Sequence, residues 1–126
     1  GKRKDNGEWI EGCLLGSDVI VPKGQPFYIC HDILDSALKA YEVIPETVGQ
    51  YIERKDKNGK KIFEGDIVRD TEDFDVGKIF FDTYTAMFVI GFETTIADFN
   101  DGYSLEVIGN IYDNPELVGG GTNETN

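Results

Sequence analysis

Apolar residues in this chain gather in short runs separated by Gly, Pro, Asn and Asp, the pattern of brief strands joined by tight turns. In the first half the runs are Cys13-Leu14-Leu15, Val19-Ile20-Val21 (stopped by Pro22) and Phe27-Tyr28-Ile29-Cys30, with a turn at Gly16-Ser17-Asp18. From Asp32 to Tyr41 the spacing changes. Ile33, Leu34, Ala37, Leu38 and Tyr41 fall on one helical face, and Asp32 or Asp35 suits its start, so a short helix is predicted there. Val43-Ile44 is extended because Pro45 follows, and residues 46–51 read as a compact turn.

The second half is more regular. Residues 65–69 predict a strand, 76–81 and 85–92 a hairpin about Asp82-Thr83-Tyr84, and 96–99 a further short element before a turn at Asn100-Asp101-Gly102. Residues 105–112 predict a closing strand in which Gly109 marks a bulge or bend. Asn114-Pro115 then opens at most one helical turn, and the glycines and polar residues from 119 to 126 read as a flexible tail.

One segment is echoed. Arg3-Lys4-Asp5-Asn6-Gly7-Glu8-Trp9-Ile10-Glu11-Gly12 shares its grammar with Arg54-Lys55-Asp56-Lys57-Asn58-Gly59-Lys60-Lys61-Ile62-Phe63-Glu64-Gly65. Each has a basic approach, an Asn-Gly that tolerates φ > 0, two large apolar residues and Glu-Gly, which predicts a hairpin feeding a strand. The aromatic residues Trp9, Phe63, Phe80, Phe81, Phe88 and Phe92 could form a recognition surface, but they alternate within such strands and are assigned to the core, a reading that an exposed Trp9 or Tyr51 would change.

At 126 residues, 15 of them Gly, the chain suits one compact domain with a bias toward β structure. The expected fold is mainly β (β-rich α+β): an N-terminal β hairpin and strand region at 1–51, a C-terminal SH3-like small barrel at 52–118, and at most one or two short helices. No apolar run approaches the roughly 18–20 residues that span a bilayer, so a soluble cytoplasmic protein without membrane contact is expected. Cys13 and Cys30 are too few for a disulfide framework and are read as two free, mostly buried thiols.

Charge is uneven. The net charge is −12, which weighs against a chain that coats nucleic-acid phosphate. Residues 1–69 carry 11 basic and 12 acidic side chains, a net −1, whereas residues 70–126 carry Lys78 alone against 12 acids, a net −11. Basic turn tips are therefore expected on an otherwise acidic body.

The segments Gly49-Gln50-Tyr51, Lys55 through Val68, and Leu105-Glu106-Val107-Ile108-Gly109-Asn110-Ile111-Tyr112-Asp113-Asn114-Pro115-Glu116-Leu117 resemble the YopX family of bacteriophage and prophage proteins, as does the opening Gly1-Lys2-Arg3 to Gly12. Residues 31–41 carry no pattern of that family. The resemblance implies a small, largely β phage or prophage protein whose biochemical role is uncharacterised, with no catalytic residues to carry over.

The residues themselves offer little chemistry. His31 beside Cys30, with Cys13 distant, lacks the three converging ligands of a metal site, and neighbouring positions of a strand face opposite ways, which weakens a Cys-His pair. Asp56-Lys57-Asn58-Gly59 with Glu64 has the wrong spacing for a calcium loop and reads as a hairpin turn. No glycine cluster has the strand-loop-helix setting of a phosphate cradle. No catalytic, metal or cofactor site is therefore expected. The candidate interaction surface consists of Arg54, Lys55, Lys57, Lys60 and Lys61 with the acids Glu72, Asp73 and Asp75. The expected role is a non-enzymatic protein-interaction module that self-associates and binds a phage or host protein, without touching nucleic acid itself. The alternative is an acidic DNA mimic that inhibits a host DNA-binding protein.

Overall fold

The computed structural model describes residues 1–15, 27–32 and 38–118, so the expected strand at 19–21, the turn at 16–18 and the tail at 119–126 lie outside the described residues. The chain divides into two compact units, Gly1–Val48 and Gly49–Asn126.

The first unit is an antiparallel sheet of β1 (Cys13–Leu15), β2 (Phe27–Asp32) and β3 (Leu38–Val43), in the order β1-β2-β3. The helix expected from 32 to 41 is corrected at both ends: Asp32 closes β2 and Leu38 opens β3, and the two are direct partners across the ladder. Ten residues of helical spacing are too few to hold a helix alone, and β2 gains a full partner along its second edge from the alternative. Ile29 and Val43 are buried, while Ala40 is exposed. Residues 2–4 run along the outer edge of β3, where Lys4 N–H donates to Glu42 O (3.0 Å) and Ile44 N–H to Lys2 O (2.9 Å). Past Ile44 the chain makes one 3₁₀ turn at Pro45–Thr47.

The second unit begins with a hairpin of β4 (Tyr51–Lys55) and β5 (Lys61–Phe63). Then come β6 (Asp66–Asp70), β7 (Val76–Asp82), β8 (Met87–Phe92), the two-residue β9 (Ile96–Ala97) and β10 (Leu105–Asn110), in the sheet order β10-β6-β7-β8-β9. All neighbours are antiparallel. The fold is mainly β, as expected. No ladder joins β9 to β10 among the described residues, and these pairings do not establish an SH3-like barrel. Thr85 and Ala86 belong to the β7–β8 turn rather than to β8. The bulge at Gly109 is present: the β10–β6 register shifts between Val107 and Gly109. Pro115–Val118 forms the single helical turn expected after Asn114.

The core of this unit is aliphatic. Ile62, Val68, Ile79, Ile90 and Leu105 are buried together, with Ile52, Phe92, Phe99 and Val107 packed around them. Because Ile79 pairs with Ile90 and Val68 with Gly77, these residues share one face of the sheet, and Ile62 of β5 packs against them. Gly77 makes room there, since a Cβ at that position would lie 2.8 Å from Ile90 and 3.0 Å from Phe92.

The assignment of aromatic residues to the core is corrected. Trp9 and Phe81 are each 43% exposed, and Phe63, Phe80, Phe88 and Phe92 are only partly buried. Compact aliphatic side chains fill the buried face of the sheet, while the rings lie around it. Phe81 meets Phe88 edge-on at 5.2 Å, and Phe63 leans on Tyr51 at 5.5 Å.

Candidate interaction surface

The two echoed segments do fold as turns with glycine in the left-handed region, Gly7 at φ 75° and Gly59 at φ 82°. In the first, Arg3 N–H donates to Glu8 O (2.7 Å) and the Arg3 guanidinium forks onto the exposed Asp5 carboxylate at 2.6 and 3.0 Å. In the second, the corresponding acid turns inward. Asp56 is only 8% exposed; its Oδ1 accepts from the N–H groups of Asn58 and Lys60 and its Oδ2 from that of Val107, each at 2.9 Å. Desolvation pushes the Asp56 carboxyl upward, but the three backbone donors and the Lys60 charge outweigh it and leave it below the ordinary value.

Through Asp56 the β4–β5 turn is fixed to the outer edge of β10. Lys57 N–H donates to Leu105 O at 2.9 Å, next to the Val107 bond. On the other flank of β10, Thr71 N–H donates to Ser104 O, also at 2.9 Å. Thr71 opens the turn that carries Glu72, Asp73 and Asp75, which is closed by Asp70 N–H to Asp75 O (2.8 Å) and Phe74 N–H to Asp70 O (2.8 Å). The buried Asp70 holds it from within, its Oδ1 accepting from Glu72 N–H at 3.0 Å. The basic turn and the acidic turn, some fifteen residues apart in sequence, thus stand on either side of the start of one strand.

All eight residues singled out from the sequence are exposed. Arg54 extends over the Phe99 ring (5.2 Å) and Lys61 over the Tyr51 ring (5.4 Å), so both cations are steered rather than loose. Lys55 and Lys61 are direct cross-strand partners, an arrangement of like charges that costs the hairpin stability. Two features escaped the sequence reading. Phe74, at φ 63° and 70% exposed, projects from the middle of the acidic turn; an aromatic ring between Asp73 and Asp75 was its only signal. Asp66 is the other: burial pushes its carboxyl up to about 6 despite the Phe63 N–H that it accepts (2.8 Å) and the Lys60 charge, with Asp56 adding a further upward push.

Among the described residues no group of three His, Cys, Asp or Glu side chains is placed to hold a metal ion, and no helix is long and apolar enough to cross a membrane. Cys30 and His31 occupy consecutive positions of β2. No curated protein matches this chain. The family described as YopX protein does match it, over residues 1–119 of 126, and covers both echoed turns, the bulged strand and the helical turn after it: the chain belongs to the YopX family.

Proposed function

We propose that this protein is a non-enzymatic interaction module of a bacteriophage or prophage, acting in the bacterial cytoplasm, which self-associates and binds another protein through the paired turns of its second unit. The observation that supports this is the placement of a basic turn (Lys57, Lys60) and an acidic turn (Glu72, Asp73, Asp75) on the two flanks of β10. A two-fold interface needs a surface that complements itself. Adjacent patches of opposite sign provide one, because rotation by 180° sets each basic turn against the partner's acidic turn. Phe74 offers an apolar anchor beside them. The DNA-mimic alternative has weaker support, since Asp75, just before β7, and Asp82, at its far end, are separated by six residues of which none is a carboxylate.

The test is sedimentation velocity at low and high salt on the full chain and on two charge-reversed forms. Wild type is expected to associate at roughly 50 mM salt and to dissociate near 1 M, where screening is short-ranged. Lys57→Glu/Lys60→Glu and Glu72→Lys/Asp73→Lys should each be monomeric alone and associate when mixed. A wild-type monomer at every salt concentration overturns the self-association.

A further inference from the structure

We propose that Cys13 and Cys30 are a redox pair, a cross-strand dithiol on the first unit that closes reversibly to a disulfide. Both cysteines are free thiols, Cys13 exposed and Cys30 half-buried, which corrects the expectation of two mostly buried thiols. The β1–β2 register makes them direct partners, Cys13 with Cys30, between Leu14 with Ile29 and Leu15 with Tyr28. Directly opposed residues of an antiparallel pair have Cα atoms about 4.5–5.5 Å apart and side chains on one face. That separation lies inside the roughly 4.4–6.8 Å that a disulfide spans. The face is the outer one: Tyr28 and Ala40, which share it through the ladder, are exposed, while the buried Ile29 occupies the other.

The approach is also fixed locally. Gly12, just before Cys13, lies so close to β2 that a Cβ there would stand 2.2 Å from Cys30 O, so the backbone leading into Cys13 reaches β2 only because the residue is glycine. The chain has two cysteines, and an internal bridge has one possible connectivity.

The oxidant is a small-molecule disulfide, RSSR, such as oxidised glutathione. The thiolate of the more exposed Cys13 attacks one sulfur of RSSR, forming a mixed disulfide and expelling one thiolate RS⁻. The Cys30 thiolate then attacks the Cys13 sulfur, closing the Cys13–Cys30 bond and expelling the second RS⁻. Two thiols lose two protons and two electrons, and RSSR becomes two RSH. The product ties the three-residue strand β1, whose ladder partner among the described residues is β2, covalently to its neighbour.

The full chain is exposed to excess oxidised glutathione under native conditions and in urea, then examined by intact mass and by peptide mapping without reductant. The native protein should lose two hydrogens, carry no glutathione, yield one cross-linked peptide containing Cys13 and Cys30, and revert with dithiothreitol. Closure from the mixed disulfide should be at least about tenfold faster in the native protein than in urea, because the sheet holds the second thiol in place. Cys30→Ser, with unchanged circular dichroism, should stop at one glutathione on Cys13. Stable glutathione adducts on both cysteines of the native chain, unreacted thiols, a disulfide between two chains, or closure no faster than in urea would each overturn the proposal.

Discussion

Asp56 and Asp66, ten positions apart, are pushed in opposite directions by their surroundings. Asp56 keeps its charge because three backbone N–H groups point at it, whereas Asp66 is desolvated with only the Phe63 N–H among the donors described. Their contributions to stability therefore have opposite pH dependence. The depressed Asp56 stabilises the fold above its unfolded value and loses that contribution as pH falls through its lower folded value. The raised Asp66 contributes fully below 3.8, and this is lost as pH rises through about 6. Asp66→Asn, which keeps an acceptor for Phe63 N–H, should thus flatten the decline of stability between pH 4 and 6. It should raise stability at pH 7 by about 1–2 kcal/mol after allowance for solvent screening. Urea denaturation across that pH range checks it, and a wild-type slope in the variant would refute the assignment. Asp56→Ala, which strips three donors of their acceptor, should cost about 3 kcal/mol near pH 7.

At the scale of elements, glycines serve two separable purposes. Gly59 holds φ 82° with nothing within 4 Å of where a Cβ would lie, so Gly59→Ala should cost about 1–2 kcal/mol from backbone strain alone. Gly77 has an ordinary strand position but no room, so Gly77→Ala should cost about 1–3 kcal/mol by forcing Ile90 and Phe92 outward. Amide exchange separates the two: loss of protection confined to the β4–β5 turn for Gly59→Ala, and spread through β7 and β8 for Gly77→Ala. Equal patterns would contradict this division. The Asn-Gly pairs were legible as turns because φ > 0 tolerance is a property of the residue. The need for glycine at 77 was not, because it arises from Ile90 on the next strand. The same distinction explains the failed helix at 32–41, where local spacing was outweighed by pairing with β2.

Over the whole molecule the dominant feature is charge. A net −12 on a small chain makes the folded state repel itself, while the ion pairs Arg3–Asp5, Lys4–Glu42 and Arg69–Glu106 are at least partly exposed and contribute little each. Raising sodium chloride from about 0.05 to 0.5 M should therefore raise the thermal unfolding midpoint of Lys57→Glu/Lys60→Glu, the variant that the proposed interface predicts to be monomeric. A fall would mean that attractive pairs outweigh the repulsion. Using that variant keeps the effect of salt on folding apart from any effect on the proposed association.

The strands of the second unit's five-stranded sheet, the hairpin turns, the bulge at Gly109 and the candidate charged segments were legible in the sequence alone, because each follows from the period of apolar residues or from the backbone freedom of a single residue type. Tertiary structure decided what depends on strand register and on neighbours distant in the chain. It set an aliphatic core with its aromatic residues around the edge, turned Asp56 inward to bond Val107 while its counterpart Asp5 stayed outside, and placed the two charged turns on the flanks of β10. It also set Cys13 opposite Cys30, since a one-residue slip of β1 against β2 would move Cys13 to the other face.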